Sequence, residues 1–197
     1  MIKLAVSPGD PAGIGPDICI KAFSSEEDLG FTPVIFGDME LFQERAENLR
    51  CPIKIKEYKG QKQLDSDSFW ISSYPLNKKI EPGRPDPSYA GYLLTILKEA
   101  VVRTINKEFR GLVTGPLNKE LINKGGINFQ GHTVVLARLS YTPKVLMMLT
   151  SKTLKVALVT THVPLSKVSD LISYEHICDC IRILRKDLEL KWGYDCL

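Results

Sequence analysis

Short apolar runs rich in strand-forming residues alternate along this chain with longer segments in which apolar residues recur every three or four positions. The short runs predict strands at residues 2–7, 32–37, 53–58, 69–71 and 111–115. Helices are predicted between them, most clearly at residues 89–109, where Leu93, Leu97, Val101 and Ile105 share one face. Strands that alternate with helices are typical of a layered α/β fold with a mainly parallel sheet, and we predict this architecture.

The last third of the chain departs from this alternation. Two apolar runs, residues 144–150 and 154–161, are separated by a short polar turn, which predicts an antiparallel hairpin. A final helix is predicted at residues 174–190, with one buried apolar face. That face is formed by Ile177, Ile181, Leu184 and Leu188. The pattern also allows an internal boundary near residues 110–115.

Charge and hydropathy restrict the partners and the location. The 197 residues carry a net charge of +3, and the basic residues are spread along the chain, which argues against a nucleic-acid partner. The longest apolar runs are far too short to cross a bilayer, and the first residues lack the long apolar region of a signal peptide. We therefore expect no membrane partner and a cytoplasmic location.

The five cysteines, at positions 19, 51, 178, 180 and 196, do not have the spacing of a zinc finger. Ordinary buried or free thiols are the interpretation that fits them. Disulfides are not expected in a reducing compartment.

The first segment with chemical potential is the glycine-rich turn between a predicted strand and a predicted helix, GDPAGIGPD, at residues 9–17. Glycines let backbone approach a ligand closely, and a helix N-terminus favours anions. Its order, G-x-x-x-G-x-G, is neither the dinucleotide fingerprint nor a phosphate-binding P-loop. The residues alone therefore leave a ligand contact and a simple tight turn equally open. The candidates in this turn are Gly9, Asp10, Gly13 and Gly15.

A second segment, TGPLNK at residues 114–119, follows a predicted strand, at the end where open α/β sheets place ligands. Gly115, Asn118 and Lys119 are its candidates. The Lys119 ammonium is suited to a phosphate or carboxylate, although a solvated helix lysine is the more common role for such a residue.

Two further segments carry histidines. His132 and Thr133 lie at a predicted helix start, where side chains and free N–H groups bind anions, although a helix cap with a surface histidine is the more common explanation of such a segment. His162 follows a predicted strand, and a neutral imidazole there is a ligand for a divalent metal. A single histidine is weak support, because a zinc site needs about three protein ligands. His176, on the final predicted helix, is interpreted as structural.

Taken together and in this order, the segments GDPAGIGPD, TGPLNK, GHT and TTHVPL resemble the 4-hydroxythreonine-4-phosphate dehydrogenase (PdxA) family, nearly to the end of the chain. The resemblance implies an isocitrate/isopropylmalate dehydrogenase-like fold, a homodimer and oxidation of a small phosphorylated substrate, 4-phosphooxy-L-threonine, in pyridoxal phosphate biosynthesis. It also implies NAD or NADP and a divalent metal (Zn, Mg or Co). By the same resemblance, His132 and Thr133 contact the substrate, and His162 is the first of three metal-binding histidines.

The chain departs from the family pattern in two ways. Val134 stands where the family usually has an acidic residue after GHT, which changes the charge beside the substrate pair. The family's other two metal histidines and its phosphate-binding residues have no counterpart here. The resemblance therefore predicts the N-terminal portion of a two-domain dehydrogenase, truncated at the C-terminus. Two alternatives stay open, namely a paralogue that acts on a phosphorylated threonate or erythronate, and a catalytically inactive remnant.

The four segments each lie at a strand end or a helix start. For this reason we expect Gly9–Gly15, Gly115, His132 and His162 to converge on one cleft.

Overall fold

The computed structural model describes residues 2–24 and 29–194, and the chain divides into two compact units, Met1–Tyr141 and Thr142–Leu197. The division therefore falls after Tyr141 and not near residues 110–115. The physical reason is that Gly111–Thr114 is a strand hydrogen-bonded to Lys3–Ser7, which places that range inside the sheet of the first unit. No helix of the described residues is both long enough and apolar enough to cross a membrane.

A five-stranded parallel sheet forms the centre of the first unit, in the spatial order β3-β4-β2-β1-β5. Its strands are β1 (Lys3–Ser7), β2 (Thr32–Gly37), β3 (Ile55–Glu57), β4 (Phe69–Ser73) and β5 (Gly111–Thr114). All five lie where the sequence predicted strands, and the mainly parallel α/β architecture is confirmed.

Among its described residues this unit has five α-helices and a short 3-10 helix at Pro87–Tyr89. They are α1 (Gly15–Phe23), α2 (Met39–Asn48), α3 (Ala90–Ile105), α4 (Lys119–Lys124) and α5 (His132–Leu139). The start of α2 is fixed by Asp38, whose Oδ1 accepts from the Leu41 amide at 3.0 Å, because a carboxylate cap satisfies an otherwise unpaired N–H.

Alternate side chains of the strands point to opposite faces of the sheet, and both faces are covered. Val34 and Phe36 of β2 pack with Ile96 of α3, whereas Ile35 between them packs with Ile20 of α1 on the other face. All five side chains are fully buried. Burial of one such side chain contributes about 1.5–3 kcal/mol, so this two-sided core is a main source of the stability of the unit.

The second unit contains the predicted hairpin and a long final helix. Its elements are β6 (Met147–Thr150), β7 (Lys155–Leu158), a 3-10 helix at Leu165–Lys167, α6 (Val168–Leu171) and α7 (Tyr174–Trp192). The two strands are antiparallel, as predicted. Ser173 caps α7 by accepting from the His176 amide at 3.1 Å, and Gly193 ends it with φ +67°, the left-handed conformation that glycine adopts without strain.

The prediction of a buried face on α7 is wrong. Ile177 is 37% exposed and Ile181 is 57% exposed, while Leu184 and Leu188 are only half-buried. No residue among the described positions 142–194 is buried. The periodicity identified the apolar face of the helix correctly, but a two-stranded hairpin is too small a surface to cover it.

The described cysteines Cys19, Cys51, Cys178 and Cys180 are free thiols, as expected. Cys196 lies outside the described residues.

Candidate active site

The first two motifs meet directly in the first unit. β1 and β5 are adjacent parallel strands, so their C-terminal ends lie at the same edge of the sheet. The Gly115 amide donates to the Ser7 carbonyl at 2.6 Å, and the Asp10 amide donates to the Pro116 carbonyl at 3.3 Å. Backbone hydrogen bonds therefore join the glycine-rich turn to the turn of TGPLNK. Both turns lie at the end of the sheet where α/β proteins bind ligands.

Close packing of these two turns explains three of the glycines. A Cβ atom at Gly15 would lie 1.7 Å from the Pro8 carbonyl oxygen, and one at Gly115 would lie 2.1 Å from the same atom. A Cβ atom at Gly9 would lie 2.2 Å from the Pro116 oxygen, and its φ of +89° is unfavourable for other residues. The requirement for glycine thus comes from contact between the turns themselves.

Polar groups stiffen the glycine turn from inside. Asp10 is buried, its Oδ1 accepts from the Ala12 amide at 2.9 Å, and its backbone carbonyl accepts from the Gly13 amide at 3.0 Å. Burial raises the pKa of the Asp10 carboxyl, while the hydrogen bond from Ala12 opposes that shift. Asp10 therefore shapes the turn through hydrogen bonds that it makes to its own loop.

Sequence reasoning missed Arg45, which holds the turn from the outside. This buried side chain of α2 donates from Nη2 to the Gly13 carbonyl at 2.8 Å, and its Nε lies 3.5 Å from Oδ1 of Asp17. A buried arginine is costly unless it is paired, so these contacts fix α2 and the start of α1 to the turn. The sequence feature that could have indicated its burial is its position on the apolar face of α2, beside Phe42 and Ala46.

Asn118 and Lys119 have different roles. The Asn118 side chain caps α4, because its Oδ1 accepts from the Leu121 amide at 3.1 Å. Lys119, the first residue of that helix, is exposed. The Asn118 side chain therefore stabilises the helix start, whereas the Lys119 ammonium remains available to bind an anion.

His132 is a half-buried polar side chain of the site. It is the first residue of α5, its ring packs edge-on against Phe129 at 5.9 Å between centroids, and burial lowers its pKa. Its Nε2 atom is buried and has no hydrogen-bond partner among the described residues. An unsatisfied buried polar group costs about 1–3 kcal/mol, so this nitrogen is a candidate for a ligand contact.

Thr133, the next residue, is exposed, as is Val134. Its hydroxyl and the N–H groups of the first turn of α5 are available to an anion, since the first N–H groups of a helix have no partner within it. The pair predicted from the sequence thus combines one half-buried imidazole with one exposed hydroxyl.

One apolar cluster supports the three motif segments of the first unit. Ala12 of the glycine turn and Phe129 before α5 are buried in it, and Leu117 of TGPLNK and Val135 of α5 pack against it. Leu93 of α3 lies in the same cluster. The structure therefore brings three of the four predicted segments to one core, whereas the fourth belongs to the second unit.

His162 follows β7 in the second unit and is exposed. Its φ is +57°, a left-handed conformation that is uncommon for residues other than glycine and costs on the order of 1–3 kcal/mol. Three residues earlier, the Val159 carbonyl lies 2.9 Å from Nε2 of His176, which must donate to it. This contact ties α7 to the end of β7 and gives His176 the structural role predicted for it.

No group of three or more histidine, cysteine, aspartate or glutamate side chains is arranged to hold a metal ion within the described residues. His162 alone does not fit the donor set of a metal centre, because zinc requires about three protein ligands. The convergence of His162 with the motifs of the first unit stays a prediction.

Comparisons with known proteins, by sequence and by structure, all point to one family. The profile of the family described as "Pyridoxal phosphate biosynthetic protein PdxA" matches residues 30–195. Curated 4-hydroxythreonine-4-phosphate dehydrogenases of Pseudoalteromonas atlantica and Pseudomonas aeruginosa are each 38% identical, over 194 and 196 residues. Each match covers 98% of this chain and 59% of the relative.

Solved structures agree with the sequence matches. A putative 4-hydroxythreonine-4-phosphate dehydrogenase from Salmonella typhimurium superposes with a TM-score of 0.87 at 27% identity. The 4-hydroxythreonine-4-phosphate dehydrogenase from Klebsiella pneumoniae gives 0.88 at 25% identity. Each superposition covers 96% of this chain and 60% of the other. The chain thus spans about three fifths of the length of the proteins that it matches.

Proposed function

This chain belongs to the PdxA family, and from that premise we propose that it supplies the substrate-contacting part of a 4-hydroxythreonine-4-phosphate dehydrogenase. The reaction is the oxidation of 4-phosphooxy-L-threonine to 2-amino-3-oxo-4-phosphooxybutanoate in pyridoxal 5'-phosphate biosynthesis. The oxidant is NAD or NADP, and the working assembly is a homodimer. The names of the matched relatives and the four motifs support this assignment.

The observation that carries the proposal is the buried, unpaired Nε2 of His132. Burial disfavours the charged imidazolium and lowers the pKa of this side chain, so the ring is held neutral. A neutral imidazole can exchange a hydrogen bond with a substrate oxygen without the cost of a buried, unpaired charge. We assign His132 the role of positioning the substrate through Nε2.

Thr133 and the start of α5 complete this contact. The Thr133 hydroxyl and the first-turn N–H groups of the helix are donors, and the positive end of a helix dipole favours an anionic group. Val134 contributes no opposing negative charge at this position. The pair is thus suited to an oxygen-rich, anionic substrate, as a phosphorylated hydroxy acid is.

The residues present do not form a metal centre by themselves, so no step is assigned to a metal here. His162 is proposed as one ligand of a site whose other ligands are not among the described residues. This incompleteness favours a second candidate, in which the 197-residue chain alone has no catalytic activity. A paralogue that oxidises a phosphorylated threonate or erythronate is the alternative within the same enzyme class.

A chimera tests the proposal. In the chimera, this chain replaces the matched segment of the Pseudoalteromonas atlantica relative, which extends over 194 residues. The rate of formation of reduced nicotinamide is measured separately with 4-phosphooxy-L-threonine, 4-phospho-D-threonate and 4-phospho-D-erythronate. We expect turnover with the first substrate. Loss of a positioned hydrogen-bond donor typically costs about 100-fold or more, so His132→Ala should cause a loss of this size.

Lys62→Ala serves as the control, because this residue is exposed and lies outside the four motif segments and the proposed contacts. It should retain full turnover. Equal activity in the His132→Ala and Lys62→Ala chimeras would refute the role of His132. Preference for either of the other two substrates would favour the paralogue.

A further inference from the structure

The loop between α4 and α5, residues 125–131, leads directly into His132. Two of its glycines have a positive φ, which is +82° at Gly126 and +119° at Gly131. A Cβ atom at either glycine would meet nothing within 4 Å, so no close packing holds these two positions. Because glycine is the least restricted residue, a loop of this kind needs another contact to fix the residue that follows it.

The end of α4, by contrast, is anchored to the core. Ile122 is fully buried in the apolar cluster that supports the motif segments. A Cβ atom at Gly125 would lie 2.5 Å from the Cβ atom of Ala90 and 2.5 Å from the Pro87 carbonyl oxygen, so the helix end packs closely on the start of α3 and the 3-10 helix before it. Asn123 lies between these two contacts, on a part of the chain whose position is fixed.

The Asn123 side chain joins this anchored helix end to the loop. Its Oδ1 accepts from the Phe129 amide at 2.7 Å, across six residues. Asparagine is a weaker helix former than alanine, leucine or lysine, because its side chain competes for backbone groups outside the helix. Asn123 is exposed, so packing does not require it. The hydrogen bond to the loop is therefore the physical reason for an asparagine at this position of α4.

This hydrogen bond bears on His132 through Phe129. The Phe129 side chain is 2% exposed and lies in the same apolar cluster. Its ring meets the His132 imidazole edge-on, with 5.9 Å between the centroids, which is a preferred geometry of aromatic pairs. The Phe129 ring thus limits the directions in which the imidazole can turn.

We propose that Asn123 is a positioning residue for His132. Its hydrogen bond holds the Phe129 backbone, the Phe129 ring holds the imidazole, and Nε2 of His132 is thereby directed at the substrate oxygen. The proposal rests on the proposed function of His132. Its structural part, the order of the loop and of the two rings, is measured without turnover.

The structural part is tested on the 197-residue chain by nuclear magnetic resonance. Asn123→Ala should speed hydrogen exchange of the Phe129 amide by about 10-fold or more, because the bond that protects this amide is lost. The nuclear Overhauser effect between the Phe129 and His132 rings should weaken in the same variant. Asn123→Asp should resemble the wild type in both measurements, since a carboxylate oxygen also accepts from an N–H.

The functional part is tested in the chimera with 4-phosphooxy-L-threonine. Asn123→Ala should lower kcat/KM by about 10-fold or more, because small errors in the placement of a contacting group are costly. Asn123→Asp should restore most of that loss. Gln61→Ala is the matched control, since its exposed side chain also accepts from a backbone amide at 2.7 Å, that of Lys59, outside the motif segments. It should leave kcat/KM unchanged.

Three outcomes would overturn the proposal. The first is unchanged exchange and an unchanged ring contact in Asn123→Ala. The second is a loosened loop with an unchanged kcat/KM. The third is an equal loss of kcat/KM in Asn123→Ala and Gln61→Ala, which would reflect general destabilisation. A wild-type chimera without turnover on any of the three substrates would count against the proposed function instead, and the resonance measurements would still decide whether Asn123 orders His132.

Discussion

α3 and α7 have similar apolar periodicity but different surroundings, and they represent the two units of the molecule. α3 has 16 residues and buries Leu93, Ile96, Leu97 and other side chains against the sheet and neighbouring helices. α7 has 19 residues, yet none of them is buried. Spacing along the chain therefore predicts which face of a helix is apolar, but burial also requires a surface large enough to receive that face.

The same difference applies to the motifs. Three of them lie in the first unit, where backbone contacts between Gly15, Gly115 and Pro8 and a shared apolar cluster determine their geometry. The fourth contains His162, which lies in a unit without a buried residue in its described part. We infer that the fold of the first unit fixes the proposed substrate contacts at His132, whereas no buried packing among the described residues of the second unit fixes the proposed ligand position of His162.

The largest expected contrast is in thiol reactivity. Burial raises the pKa of Cys19, in the first unit, to about 12, whereas Cys178 and Cys180 of α7 are partly exposed. Because the thiolate is the reacting form and an unperturbed cysteine has a pKa of about 8.5, Cys19 should be alkylated about 1000-fold more slowly than an ordinary thiol at mildly alkaline pH. Mass spectrometry of alkylated peptides, in a Cys196→Ser background, measures the rates. Equal labelling of Cys19 and Cys178 would contradict the difference between the units.

A matched pair of substitutions compares the cores. Ile96→Ala, in α3, removes a fully buried side chain and should lower the free energy of unfolding by about 2–5 kcal/mol. Ile181→Ala, in α7, removes a side chain that is 57% exposed and should change it by less than about 0.5 kcal/mol. Urea denaturation followed by circular dichroism gives both values. Similar losses for the two variants would mean that α7 is packed in solution.

Glycine substitutions test whether the turns of the first unit are fixed by backbone contact. Gly15→Ala forces a methyl group against the Pro8 carbonyl and should destabilise the chain by about 1–3 kcal/mol. Gly91→Ala is the control, because a Cβ atom there meets nothing within 4 Å and alanine in a helix is favoured by up to about 1 kcal/mol. Thermal unfolding should therefore move in opposite directions for the two variants. A neutral Gly15→Ala would remove the steric reason given for that glycine.

The smallest effect concerns pH. Burial lowers the pKa of His132 in the folded chain, so between its unfolded pKa near 6.5 and its lower folded value the unfolded state binds more protons. The free energy of unfolding should therefore fall as the pH drops through this window, and the loss should cease below the folded pKa. His132→Phe should show a smaller fall than the wild type between neutral and mildly acidic pH. An identical pH dependence for the two proteins would argue that the ring is solvated.

Much of the fold follows from local pattern. The strand at Thr32–Gly37, the Asp38 cap and the hairpin near residue 150 were all predictable, because each depends on neighbours in sequence. The burial of Arg45 was not predictable, because the hydrogen bond that compensates it is made to the Gly13 carbonyl, 32 residues away. The unpaired Nε2 of His132 was likewise not predictable, since sequence spacing does not determine the burial of a single ring atom.

The most direct measurement is a dehydrogenase assay on the 197-residue chain alone, supplied with divalent metal, NAD and 4-phosphooxy-L-threonine. We predict no measurable formation of reduced nicotinamide, because His162 has no companion ligands arranged for a metal among the described residues. Loss of even secondary partners of a metal site typically costs about 10- to 100-fold, and missing direct ligands should cost more. Turnover that is abolished both by a chelator and by His162→Ala would contradict this prediction, since it would require a complete metal site within this chain.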